Sequence, residues 1–199
     1  MDSVLVDTVG FRPDSVFEKK DTIHFKMSKD SLDAPVTYSA ADSVVLDVPT
    51  KNVMLYNKAN TKYKDITLDA YEIKMDQPHN LLTATYMLDT AGAMVGKPLM
   101  TQTGSTMSSD SIAFNMKTQK GITRNTFTQS GEMYVMGEKM KKISRDEYFA
   151  FHGRFTTCNL DTPHFAFRTN KMELVNKKMA ISGPVHPEFE GVPIPIYIP

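Results

Sequence analysis

A seven-residue unit recurs four times along this chain, and it restricts the chain to extended structure. The copies occupy residues 41–47, 70–76, 109–115 and 169–175. In each, the fourth and sixth positions are apolar: Val44 and Leu46, Ile73 and Met75, Ile112 and Phe114, Met172 and Leu174. Apolar residues two apart share one face of a strand, so each copy predicts a strand with one face against a core. The first three copies end in Asp47, Asp76 and Asn115, whose side chains favour a turn by bonding the backbone just ahead. A polar turn and a return strand follow each copy, at 53–56, 81–84, 122–124 and 179–181. The unit is therefore a hairpin. A worn fifth copy is expected at 147–157, turning at His152 and Gly153.

The copies are unevenly spaced, which argues against a solenoid of fixed period. It suits an antiparallel sandwich built from unequal hairpins. No segment keeps a helical period over ten residues, and the Lys-rich stretch 138–146 reads as a loop. Within 66–75 the apolar residues move from even numbers (Ile66, Leu68) to odd ones (Tyr71, Ile73, Met75). Either one strand bends there at a β-bulge, or two strands meet at Asp69 and Ala70. The tail has proline at 193, 195 and 199. Alternate prolines remove alternate amide donors, so the tail is expected to be an edge strand or an exit segment.

Residues 1–32 break up their apolar runs with charged and polar groups. They are read as a flexible arm or linker, with a first strand at 22–27 as the alternative, and 33–199 as the β domain. Twenty-three basic residues balance 23 acidic ones, so the whole molecule has no electrostatic drive toward nucleic acid. No apolar run has the length of a membrane-spanning helix, and no signal-peptide pattern opens the chain. The abrupt stop in a Pro-rich segment is expected to be a boundary inside a longer protein. Fourteen methionines suit a wall that adapts to shapes not fixed in advance, or ordinary core filling.

Catalytic chemistry finds little support. Cys158 is the lone cysteine, and a nucleophile would need His164 beside it, which sequence alone does not place. The five histidines lack zinc-ligand spacing. Asp42, Asp69, Asp76 and Asp110 recur at equivalent places in a repeat, which points to turns and strand ends. No Gly-rich phosphate loop is present. No enzyme activity, metal or cofactor is expected.

Two segments carry a resemblance to a known family. Residues 155–168 resemble the pattern T-x-C-x-x-x-x-P-x-aromatic of LptD, the lipopolysaccharide-assembly family, with Thr156, Cys158, Pro163 and Phe165 in its places. Residues 192–199 resemble the hydrophobic segment that leads into the LptD barrel. Residues 32–43 and the hairpin units are similar to the OstA-like domains shared with the bridge proteins LptA and LptC.

The resemblance implies an all-β, open β-jellyroll at the periplasmic face of the outer membrane, with a C-terminal β-barrel to follow. It implies lipopolysaccharide as cargo, its acyl chains passing between facing sheets. The groove residues would be Ile66, Leu68, Ile73, Met75, Ile112, Phe114, Met116, Phe165 and Phe167. An LptA-like bridge would pair with an edge strand at Val36, Thr37 and Tyr38, and an LptE-like lipoprotein would be a further partner. Family members carry disulfides between this domain and the barrel. Cys158 stands at the motif cysteine, yet no second cysteine lies near the N-terminus. It is either one half of an interdomain disulfide or a buried free thiol. Two other readings remain: a secreted β-sandwich that binds carbohydrate or protein, and a soluble LptA- or LptC-like bridge.

Overall fold

The period-two pattern becomes a set of long antiparallel strands that bend together. The computed structural model describes residues 32–199, apart from 103–104, 131, 145, 161–162 and 176–178. The expected arm, save Leu32, and the alternative strand at 22–27 lie outside these residues.

Seventeen strands are described: β1 (Val36–Ser39), β2 (Ser43–Asp47), β3 (Asn52–Tyr63), β4 (Ile66–Asp76), β5 (Leu81–Thr85), β6 (Met87–Leu88), β7 (Met94–Val95), β8 (Leu99–Gln102), β9 (Ser105–Ser108), β10 (Ser111–Asn115), β11 (Gly121–Ser130), β12 (Met133–Lys142), β13 (Glu147–Thr156), β14 (Phe165–Val175), β15 (Met179–Ser182), β16 (Val185–Phe189) and β17 (Val192–Pro193). The protein is all-β, an open antiparallel jellyroll. Apart from the small ribbon β6–β7, the strands form one continuous branched sheet.

The branching makes two layers. The long strands β3, β4, β11, β12, β13 and β14 give one half to each. The first layer runs β2, β3, β4, β5, β10, β11, β12, β13, β14, β15. The second runs β1, β3, β4, β8, β9, β11, β12, β13, β14, β16, β17.

The bends have a local cause. In β3, Asn57 and Lys58 have φ of 61° and 46° and together lie opposite Tyr71 of β4, a two-against-one bulge. Across β11 to β14 the register skips one residue on each strand, at Asn125, Glu138, His152 and Asn170. Asn125 and His152 have φ of 45° and 47°. Asparagine tolerates this left-handed region better than most residues.

The four hairpins form where the repeat predicts them, and the side chains that end the first three copies cap their turns. Asp47 accepts a hydrogen bond from the Thr50 hydroxyl at 2.5 Å, Asp76 from the His79 amide at 3.2 Å, and Asn115 from the Thr118 amide at 2.8 Å. Of the two arrangements open for 66–75, the single bent strand is found. Two expectations are corrected. Residues 147–157 form one strand, not a hairpin, because the left-handed residue His152 bends the chain from one layer into the other without reversing it. The Lys-rich stretch 138–146 is not a loop throughout, since 138–142 complete β12, with Met140 and Lys142 facing inward and Lys139 and Lys141 outward. The tail pairs with β16 and with Val185 through Ile198, as the outermost segment of the second layer.

The space between the sheets as candidate functional site

Side chains that point from each layer toward the other build one apolar interior. Ile73, Met75, Ile112, Phe114 and Met116 enter it from the first layer and its turns. Ile66 and Leu68 enter from the second. All seven are at most 6% exposed and lie in one cluster with Val53, Leu55, Leu82 and Met100. Phe165 and Phe167 sit apart from that cluster. The cross-strand register aligns Phe167 with Phe155 and Val135, and the Phe155 and Phe167 rings stack at 5.2 Å. Val135 is fully buried, whereas Phe155, Phe165 and Phe167 are half-buried and Phe189, paired with Phe165, is 53% exposed. The inner wall thus grades from a dry core near β3–β4 to a partly wet aromatic surface near β14–β16.

Between these ends the layers touch through methionines. Met100 and Met107 of the second layer face Met140, Tyr148 and Leu174 of the first around a space of about 30 Å³. A neighbouring space of about 10 Å³ lies against Ile112, Phe114 and Lys142. Side chains of both layers line the two spaces together. The layers are therefore in contact at mid-length. Sequence reasoning missed Met100 and Met107 because β8 and β9 are short strands of mixed polarity with little periodic signal, and Met140 because the Lys-rich stretch around it reads as a loop.

It also missed Lys142, which is 4% exposed in this apolar setting. Its ammonium donates a short hydrogen bond to the Gln102 carbonyl across the gap, and Gln102 in turn donates to Asp65 at 3.2 Å. The same ammonium lies 5.6 Å from the ring centres of Phe114 and Tyr148. Cation–π attraction offsets part of the cost of removing the charge from water. Burial, with a smaller contribution from the Asp146 carboxylate, pushes the Tyr148 phenol up to about 12. No sequence signal marks a lysine as buried; only the fold places it there.

Both ends of the layers are edges. Val36, Thr37 and Tyr38 lie in β1, which among the described residues pairs only with β3. β2 likewise pairs only with β3, on the other layer. By register Tyr38, Val44 and Leu46 face inward, yet they are 47%, 49% and 58% exposed, because no further strand among the described residues covers them. At the opposite end the edges are β15 and the Pro-rich tail.

Cys158 is a free, half-buried thiol whose amide is capped by the Thr156 hydroxyl at 3.0 Å. Its sulfur lies 3.9 Å from His164 Nδ1, a proximity that sequence left open. Among the described residues no group of three or more His, Cys, Asp or Glu is arranged to hold a metal ion.

No family model matches the chain. No curated protein matches it either. Among solved structures, the chain is similar to LptH of Pseudomonas aeruginosa, the LptA-homologous periplasmic component of a lipopolysaccharide transport device. The two are 12% identical with a TM-score of 0.46, over 55% of this chain and 76% of LptH.

Proposed function

We propose that this chain is a lipid-conducting periplasmic jellyroll that receives lipopolysaccharide and guides its acyl chains between its two layers. The observation that carries this reading is the inner wall itself. It is largely apolar on both layers, narrowed at mid-length by methionines together with Tyr148, Leu174 and the Lys142–Gln102 hydrogen bond, and leads to half-exposed phenylalanines at one end. An acyl chain entering this wall gains roughly 0.8 kcal/mol for each methylene removed from water. Loading requires Met100, Met107 and Met140 to swing aside, a motion that unbranched thioether side chains make readily.

The finer placement, as the periplasmic domain of an LptD-type outer-membrane protein, rests on the two C-terminal motifs. In that reading β1, with Val36, Thr37 and Tyr38, is the docking edge for an LptA-like bridge, since an unpaired strand is a template for a further one. Cys158 is then the half of a disulfide reaching toward the barrel, an LptE-like lipoprotein is a partner of the assembly, and residues 1–32 are a linker. The free edges at both ends favour a second reading, a soluble bridge that stacks end to end. Several hundred residues of alternating strands beyond Pro199 in the reading frame would decide for the first.

The cargo is tested with a photo-crosslinking amino acid at Phe114 or Phe167. Capture of lipopolysaccharide at both positions, and not at outward-facing Phe151, is expected. Capture confined to Phe151 would overturn the reading.

A further inference from the structure

Where β11 to β14 bend, their outer surface gathers cations, and among the described residues only one of them has an ion-pair partner. The register sets Arg124 directly opposite Lys139, and Arg154 directly opposite Arg168, on either side of the bend. Like charges placed opposite one another across strands repel. Arg154 has Glu188 at 3.3 Å, a carboxylate that is itself buried. The side chains of Arg124, Lys139 and Arg168 have no ion-pair partner among the described residues.

Between the two pairs the bend opens a cleft of about 550 Å³, lined by Asn125, Phe127, Met136, His152, Arg154 and Arg168. A second space of about 290 Å³, lined by Arg124, Asn125, Glu138 and Lys139, shares Asn125 and Glu138 with it. Glu138 opposes an anion, but its carboxylate is engaged by His152 Nδ1 at 2.7 Å. Two guanidinium groups, Arg154 and Arg168, therefore face the cleft, with Arg124 and Lys139 in the adjoining space, against Glu138 and the buried Glu188.

We propose that this cleft binds the phosphoryl group of a phosphorylated sugar. Guanidinium forks match phosphate oxygens in pairs, and an anion between opposed cations removes their mutual repulsion. Phe127, 43% exposed, and Met136 supply an apolar platform beside the cations, and Asn125, whose Nδ2 donates to Asp110 at 2.7 Å, keeps its carbonyl oxygen as an acceptor for a hydroxyl. The volume falls in the range of small-molecule sites. The cleft lies on the outer face of a continuously paired sheet, so its occupant comes from outside the layers, either the headgroup of a phosphorylated glycolipid whose chains also stay outside or a free phosphorylated compound.

The test uses the full chain and an acyl-free glucosamine disaccharide bisphosphate, with inorganic phosphate and the unphosphorylated disaccharide alongside, read by NMR at the arginine Nε–H signals. Saturable shifts of Arg154 and Arg168 with the bisphosphate are expected, and Arg168→Gln combined with Lys139→Gln should weaken binding roughly tenfold or more. Lys74→Gln, an exposed change on β4, should leave it unchanged. A bisphosphate bound far more tightly than inorganic phosphate assigns the site to a headgroup, and equal affinities assign it to free phosphate; both support a phosphoryl site. No saturable shift, equal binding of the unphosphorylated sugar, or binding to anionic vesicles alone would overturn it. Because the probe has no acyl chain, its failure leaves the groove reading standing, and loss of capture at Phe114 leaves this cleft standing.

Discussion

Lys142→Met separates two accounts of what holds the layers together at mid-length. The ammonium is 4% exposed, and stripping an ion of its water costs several kcal/mol. Against that stand the hydrogen bond to Gln102, about 1.5–3 kcal/mol for a charged donor, and the faces of Phe114 and Tyr148, about 0.5–2 kcal/mol. These terms nearly cancel. Methionine has similar length, no desolvation cost, and Met100, Met107 and Met140 as neighbours. We expect Lys142→Met to raise stability by about 1–2 kcal/mol, within the range seen when apolar groups replace buried ions. Gln102→Leu should act oppositely, costing about 2–3 kcal/mol, because it strips a buried ammonium of an acceptor. In the Lys142→Met background the same change should cost less than about 1 kcal/mol, since no ammonium is left to lose an acceptor. Asp65 is exposed and loses little in either case. Urea unfolding of the four proteins, with unchanged slope, reads the coupling directly. A loss of more than about 1 kcal/mol in Lys142→Met, or an equal cost of Gln102→Leu in both backgrounds, refutes the reasoning.

Two further outcomes follow from the interior. The raised Tyr148 phenol adds stability that is fully present below the ordinary tyrosine value of 10.0 and is lost as pH climbs from there through about 12. The loss is at most about 2–3 kcal/mol, less where water reaches the ring edge, and Tyr148→Phe should remove it from stability curves measured between pH 9 and 12. A Cβ at Gly137 would lie 2.8 Å from Met140 Cγ and 3.4 Å from Ala150 Cβ, so Gly137→Ala should lower stability by about 1–3 kcal/mol. Gly183→Ala, whose nearest atom is 3.9 Å away, should not destabilise the fold, and equal melting temperatures for both variants would contradict the packing argument.

Local chemistry fixed much of this molecule. The alternation in four repeated segments produced strands, and Asp47, Asp76 and Asn115 produced turns, because both depend on groups within a few residues of one another. The same locality made Ile73, Met75, Ile112 and Phe114 legible as inward-facing. Tertiary structure decided which inward positions are dry. Val44 and Leu46 have the same pattern as Ile73 and Met75 but lie half-exposed, since β2 is an edge and β4 has neighbours on both sides. It also decided that His152 bends a strand where a hairpin turn was expected, that Lys142 is buried, that Cys158 meets His164, and that Arg154 stands opposite Arg168. The burial of Lys142 and the facing of Arg154 and Arg168 depend on partners brought from other strands. Period-two patterning specifies which face of a strand is apolar, but neighbour, layer and exposure are set only when the strands pair and the two layers close on each other.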